Sequence, residues 1–573
     1  FTMSQATTSP ERIRWFLIHL LLPLCITMNA NNVKNVEALT SSSSVLSSSL
    51  RQQQEELFSV APMMGHSNRH YRYFFRLLSY NAHLYTEMIP GSQIVQLYDI
   101  LAKHSNDRKN TSYGGDGEAI IHPDQIQENI RHIIIAQNNI KSNHQPNSLD
   151  VKFHSLLQEL MQGPKDPLVT LQLGGRDPST LAKASAIATA FGFASINLNC
   201  GCPSSTVASG RQSGAALMKE PALVARCLEE MSYSMDSIDP NAVLSVKHRL
   251  GVADASVYDA AWDHAQGDDE AYQSCHDFCR IVGLSGKVSK LHVHARLALL
   301  GFGSSGTTTN DNSDNSLWTP SPSSSEANSS SNGGGETKTS SSQKIDHKRV
   351  QYKAKQQARQ ATIKNRSVPP LRPNVVERIA TDFPHLQVIS NGGVSSLSQI
   401  RDRLSSNNNN GSNNNNKVKG VMVGRAAINH PCSFAAVDSV LWKNYERKPT
   451  RQQVLLQYID YCQEKEEQFT NTIFTNKSND NNNKEQLKEF RKKLIAAPYH
   501  LFMGEEGNDG YQRRLRKLAG RGDRYSASAM LNAAMAELST EAKEKCVDDH
   551  VAWEDIEQFD FTKRSGALQR TIH

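Results

Sequence analysis

Eight short apolar runs constrain this chain more than any other feature. They lie at 57–63, 82–88, 168–175, 195–203, 244–251, 290–296, 387–393 and 420–426, and helix-type segments separate several of them. Each has the length of a buried strand. One connecting segment, "DPSTLAKASAIATAFG", opens with Asp177 as a cap and Pro178 in the first turn and closes at Gly192, as a helix should. Strands and helices in such alternation predict an α/β fold, a (β/α)8 or TIM barrel. The other architecture for such a pattern, a doubly wound sheet, lacks its Gly-rich loop after the first run.

The polar residues fall where a barrel uses them. Pro62 and Met63, Gln172, Asn199 and Cys202, Lys247, His294 and Arg296, Asn391 to Gly393, and Gly424 with Arg425 all stand at the C-terminal ends of these runs. That rim carries the chemistry of barrel enzymes. A lone strand-end His or Asn is more often a structural group, but eight strands with polar ends at one edge are harder to dismiss. The last two runs end in "NGG" and "VGRA", where glycines let backbone N–H groups approach an anion that Arg425 neutralises. A phosphorylated cofactor is expected there, with Lys247 and His294 over its ring system.

"INLNCGCPSSTV" sets Cys200 and Cys202 one residue apart. A disulfide between them would need strained geometry, and no activating base for a nucleophile is legible beside Cys202. Cys275 and Cys279 flank His276, but no second ligand pair follows, so no metal is expected. Nine cysteines in 573 residues, without dense spacing, suit a reducing compartment rather than a disulfide framework.

Composition divides the chain. Residues 1–55 read as a targeting or low-complexity segment: Arg12 and Arg14 precede "WFLIHLLLPLC", which is too short to span a bilayer, so no stable membrane association is expected. An organelle presequence, plastid or mitochondrial, and a cytoplasmic protein starting near Met28 stand level. The barrel is expected over 56–445, with Ser-, Gly- and Asn-rich insertions at 303–342 and 405–416 that cannot offset ordering entropy by burial. A shorter polar run at 476–483 is expected to carry no core either. A helical domain is expected over 446–545, followed by a tail at 546–573.

Seven blocks in order carry a resemblance: "SVAPMMGHSNRHYRYFFRLLSYNAHLYTEMI", "LQLGGRDPSTLAKAS", "INLNCGCPS", "VKHRLGV", "HVHAR", "DFPHLQVISNGGV" and "GVMVGRAAINHP". Together they resemble the tRNA-dihydrouridine synthases of the DusA type, over about 57–437 apart from the insertions. The resemblance implies an FMN-containing barrel with a helical C-terminal domain, for which a monomer is expected. It implies reduction of the C5–C6 bond of D-loop uridines around position 20/20a of tRNA, with NADPH as reductant.

The resemblance also implies roles. Pro62, Met63 and Met64 would line the flavin, Gln172 and Lys247 would bond the isoalloxazine edge, and His294 would approach it. Asn391, Gly392, Gly393, Gly424 and Arg425 would hold its phosphate. Cys202 matches the proton donor and Asn199 would face the flipped uridine, while Arg296, Asn365 and Arg366 match segments that approach tRNA. An ordinary thiol, titrating near about 8.5, is mostly protonated at neutral pH and can donate to C5 as hydride arrives at C6.

The chain departs from the family pattern at "MGHSNRH", which lacks the usual acidic residue and Thr, and at Leu297, where the family has Lys. In the C-terminal region Arg513, Arg514, Arg516, Lys517, Arg521 and Arg524 form a basic run that is either a solvated face or a phosphate-tracking surface. A small-molecule flavin reductase of the dihydroorotate or enone type has no reason to add that run. A catalytically silent tRNA-binding factor has no reason to keep Cys202, Lys247 and His294.

Overall fold

The structure, a computed structural model, describes residues 55–104, 126, 128–130, 151–161, 166–203, 213–284, 286–301, 363–365, 367–405, 418–444, 448–474 and 480–549. The expected targeting segment, the 303–342 insertion, the Asn-rich residues 406–416, Arg366 and residues 550–573 lie outside these.

All eight apolar runs contain a strand: β1 (Phe58–Val60), β2 (His83–Tyr85), β3 (Val169–Gly174), β4 (Ser195–Cys200), β5 (Val243–Arg249), β6 (Lys290–His294), β7 (Gln387–Asn391) and β8 (Gly420–Val423). Each pairs in parallel with the next in chain order, and β8 returns to β1 with Val423 opposite Val60, so the sheet closes. A short strand, Ile89–Pro90, extends the edge of β3. Register then aligns residues far apart in sequence. Asn199 lies opposite Lys247, Arg249 opposite His294, and His294 opposite Asn391.

Alternation decides what the barrel encloses. Ala61, Tyr85, Ile389 and Met422 form a small internal apolar cluster with Met63 against it. Below it Tyr85 Oη donates to Glu56 Oε1 at 2.9 Å, and Lys290 Nζ reaches Glu56 Oε2 at 3.2 Å. Burial alone would raise the Glu56 carboxyl, but His292 and Lys290 hold it well below the usual range. This network lies toward the N-terminal ends of the strands, where residues stabilise rather than react.

The outward faces pack on helices whose starts are legible. Asn68 caps α1 (Arg69–Leu78) by accepting from His70 N and Tyr71 N, while Phe74, Phe75 and Leu78 are buried. Asp177 caps α2 (Pro178–Ala190) through Thr180 N, and Gly192 leaves that helix at φ 96°. The departure at "MGHSNRH" is thereby accounted for locally: Asn68 is the cap, and Ser67 Oγ accepts from Met63 N at 2.8 Å.

Four further helices, α3 (Arg451–Phe474), α4 (Asp480–Ala496), α5 (Asn508–Ala519) and α6 (Ala527–Met535), share a continuous apolar core with the barrel. Of these, α3 and α4 dock on α1, where Tyr73 stacks on Tyr461 with ring centroids 3.9 Å apart, His70 Nδ1 meets Tyr461 Oη at 2.9 Å and Phe490 lies edge-on to His70. The polar run at 476–483 departs from expectation. Its residues 480–483 begin α4, and Asn483 is buried, because the apolar face of the following helix pulls its first turn onto the core. Among the described residues no helix is long and apolar enough to cross a membrane.

Candidate functional site

Toward the C-terminal ends of β3 to β7 two hydrogen-bonded sets of side chains face the rim, one of amides and one joining an ammonium to an amide. Gln172 Nε2 donates to Asn197 Oδ1 at 2.8 Å, Asn197 Nδ2 donates to Ser245 Oγ at 2.9 Å, and Asn199 Nδ2 reaches Gln172 Oε1 at 3.3 Å. Lys247 Nζ donates to Asn391 Oδ1 at 3.1 Å, and Asn391 Nδ2 donates to Met422 O at 2.8 Å. Burial, aided by the charge of Arg249 and opposed by Cys202, pushes Lys247 down to about 7. Burial and the cations Arg249, Lys247, Arg296 and Arg425 hold the His294 imidazole well below its ordinary value, so it is neutral.

Cys200 and Cys202 separate cleanly. Cys200 is fully buried in the core, and burial pushes its thiol up. Cys202 is half-buried, beyond the end of β4. Asn199 Oδ1 accepts from Gly201 N at 3.0 Å and from Cys202 N at 3.1 Å. Arg249 Nε donates to Gly201 O at 2.9 Å, and Ala215 N donates to Cys202 O at 2.9 Å. Gly214 sits at φ 67°, and a Cβ there would lie 2.5 Å from Cys202 O, so this return of the chain requires glycine.

The opposite side of the rim is shaped for an anion. Gly392 and Gly393 have φ 107° and 73°. A Cβ on Gly392 would press on His294 Cε1 and Nε2 at 3.4 Å, and one on Gly393 would meet Leu371 Cδ1 at 2.6 Å. Arg403 holds this turn, with Nη1 on Ser390 Oγ at 2.8 Å and Nη2 on Gly392 O at 3.0 Å. Gly424 faces Met63 Sδ, and Arg425 beside it is exposed. Pro62 is half-buried and Met64 is 58% exposed on the same side. His294 Nδ1 is buried with no partner among the described residues.

Those features fit a phosphorylated planar cofactor: a glycine cradle beside an arginine, an amide and an ammonium along one edge, and a buried imidazole nitrogen still to be satisfied.

Other expected site residues are placed differently. Asn365 is 1% exposed, and its amide is committed to the main chain of Leu299, accepting from N at 2.7 Å and donating to O at 2.9 Å. It joins the returning segment to the rim and leaves no exposed amide to offer. The Arg296 guanidinium donates to Pro369 O, which ties it to that same segment. On α5 Arg513 is exposed, whereas Arg514 is half-buried with Nε lacking a partner among the described residues.

Sequence reasoning passed over Arg249, Asn197, Arg403 and Gly214. Arg249 and Asn197 carried a signal, since they stand two residues from Lys247 in "VKHRLG" and from Asn199 in "INLNCG", and alternation puts each pair on one face.

His248 faces outward from β5 and joins Cys275 and Cys279, the three ligand-type atoms lying within 4.8 Å of one another. They satisfy one another in a line. His248 Nδ1 donates to Arg249 O at 2.8 Å, its Nε2 lies 3.8 Å from Cys279 Sγ, and Cys279 Sγ lies 4.0 Å from Cys275 Sγ. Burial pushes His248 down to about 4, as suits a neutral acceptor for a thiol.

Comparison with known proteins agrees with the rim. The family model described as dihydrouridine synthase (Dus) matches residues 140–317 and 357–507. A protein of Synechocystis sp. is 28% identical over 408 residues, covering 71% of this chain and 78% of its own. One of Pseudomonas aeruginosa is 26% identical over 406 residues, covering 71% and 78%, and one of Escherichia coli (strain K12) is 27% identical over 381 residues, covering 66% and 68%. Each of the three is named tRNA-dihydrouridine(20/20a) synthase. With more than half of its length inside that match, and a closed eight-stranded barrel carrying the rim described above, this chain belongs to the dihydrouridine synthase family.

Proposed function

We propose that this protein is an FMN-dependent tRNA-dihydrouridine synthase that uses NADPH and acts on D-loop uridines at position 20/20a. Membership of a flavin-dependent family and the names of its relatives support the reading. The observation that carries it is the half-buried Cys202, held beyond β4 on the rim that also bears Lys247, His294 and the glycine cradle.

In this reading Pro62, Met63 and Met64 flank the flavin ring, and Gln172 and Lys247 hold its polar edge. His294 would turn its buried, unpartnered Nδ1 toward the flavin, and Asn391, Gly392, Gly393, Gly424 and Arg425 would hold the phosphate. FMN held by these residues and reduced by NADPH would supply the hydride that goes to C6 of the uracil ring. Cys202 Sγ gives its proton to C5, and the thiolate left behind takes a proton from solvent, so the C5–C6 double bond is consumed by one hydride and one proton.

The amide of Asn199 faces the base while also holding the main chain of the acid. A uridine in a folded tRNA must leave its stack to reach this rim, so backbone contacts elsewhere hold the tRNA. Exposed Arg513 on α5 belongs to such a contact surface.

The test is direct. Purified protein, NADPH and an unmodified tRNA transcript are incubated, and dihydrouridine is measured in the digested product. Uridines 20 and 20a converted only when NADPH is present support the reading. No dihydrouridine from a flavin-loaded preparation overturns it.

A further inference from the structure

We propose that Arg249 is the positioning residue of the proton donor: its guanidinium locks the Gly201–Cys202 main chain and couples it to the loop after β6. The inference rests on the activity proposed above and concerns a residue that need not touch flavin or uracil.

Every main-chain polar group of Gly201 and Cys202 is hydrogen-bonded. Both N–H groups go to Asn199 Oδ1, Gly201 O goes to Arg249 Nε, and Cys202 O goes to Ala215 N. A dipeptide held at all four points keeps its backbone dihedral angles, so the Cys202 thiol retains only its own side-chain rotation. Asn199 belongs to the strand that leads into the dipeptide, and Ala215 belongs to the segment that follows it. Arg249 comes from the neighbouring strand, and among the described residues its bond to Gly201 O is the one that ties the main chain of this dipeptide to that strand.

Its second bond shows what it is tied to. Arg249 Nη1 donates to Leu297 O at 2.9 Å, three residues beyond His294, and Arg249 itself lies opposite His294 in register. The planar fork therefore spans two carbonyls on two loops, one bearing the acid and one bearing the flavin-side imidazole. An ammonium, a point donor on a flexible stem, cannot reproduce that span. At 8% exposure the guanidinium is removed from water, a costly state that bonds to two carbonyls offset.

The test uses the full-length flavoprotein with Arg249→Lys and Arg249→Ala. Both variants should keep their FMN. The kcat for dihydrouridine formation should fall roughly 10- to 100-fold, as expected when a reacting group is misplaced by about an ångström. The KM for tRNA should stay within about twofold. Lys should restore little, because the fork and not the charge is needed.

Alkylation of Cys202 by iodoacetamide, followed by mass spectrometry of its peptide, should accelerate severalfold in both variants as the loop loosens. Full activity in Arg249→Lys, or a kcat loss that merely tracks flavin loss, overturns the proposal. If Arg249→Ala does not accumulate as a flavoprotein, Gly214→Ala disturbs the same dipeptide from its other end. Unchanged kcat in that variant would equally sink the idea. A parent protein that makes no dihydrouridine defeats the activity reading instead, and the alkylation rates still decide whether Arg249 holds Cys202.

Discussion

Lys247 Nζ donates to Asn391 Oδ1 across 3.1 Å, joining β5 to β7 over the strand that carries His294. The bond fixes an ammonium at the centre of the rim, where burial and Arg249 push it down to about 7. A group so close to neutral pH makes cofactor binding sensitive to protons.

The first prediction concerns that sensitivity. Burial holds Lys247 at about 7, below its unfolded value of about 10.4, so its charge is a folding cost that is full below pH 7 and is relieved as pH rises from there toward the unfolded value. A flavin edge of acceptor oxygens favours the charged ammonium, so binding takes up a proton above pH 7. FMN affinity should therefore fall as pH rises from 7, by up to about tenfold per unit. Fluorescence titration between pH 6.5 and 9 measures it. Lys247→Met should bind more weakly and lose the slope, and a slope that persists assigns the proton elsewhere.

The two cysteines should part company on substitution. Cys202→Ala should keep FMN and its reduction by NADPH, while dihydrouridine formation falls roughly 10²- to 10⁴-fold, the range for losing a general acid. Cys200→Ala removes a packed thiol from the core, so its effect should appear in thermal stability and far less in turnover. Single-turnover assays beside melting curves separate the two, and equal losses of turnover would show that the segment misfolds in both.

The strands and their reactive ends were legible because alternation and turn residues are local signals. Asn199, Lys247, His294 and Asn391 could be placed at one edge without knowing which strand lay beside which. What local pattern does not carry is the partner. Arg249 holds Gly201 from 48 positions away, His248 meets Cys279 from 31 away, and Tyr461 reaches His70 from 391 away. Asn365 reads as a tRNA contact only through the family resemblance of its segment, and closure of that returning segment buries it on Leu299. Gly214 is required by a carbonyl that only the folded loop brings near.

Asn365→Ala should accordingly act on stability. It leaves the N–H and C=O of Leu299 buried without their amide partner, a loss of about 1–3 kcal/mol. Chemical denaturation followed by tryptophan fluorescence gives the number. At temperatures where the variant is folded, tRNA affinity should match the parent, and a selective loss of tRNA binding would return Asn365 to the interface.

The last prediction tests the basic helix, with targets chosen by exposure. Arg513, Lys517, Arg521 and Arg524 are exposed on α5 and its exit, but Arg524 pairs with Asp523, and Arg514 and Arg516 are half-buried, so replacing the latter two would confuse folding with binding. If Arg513, Lys517 and Arg521 meet tRNA phosphates, changing all three to Gln releases fewer counterions on binding. Each lost contact removes up to about 0.9 from the log–log salt slope for duplex and about 0.7 for single strands. The folded tRNA should fall near those limits, so the slope should flatten by about two units and affinity should weaken most at low salt. Flavin content and NADPH oxidation without tRNA should be unchanged, because no rim residue is altered. Filter binding across a salt series reads both quantities. An unaltered slope with unaltered affinity makes this run a solvated face and moves the tRNA surface to another part of the protein.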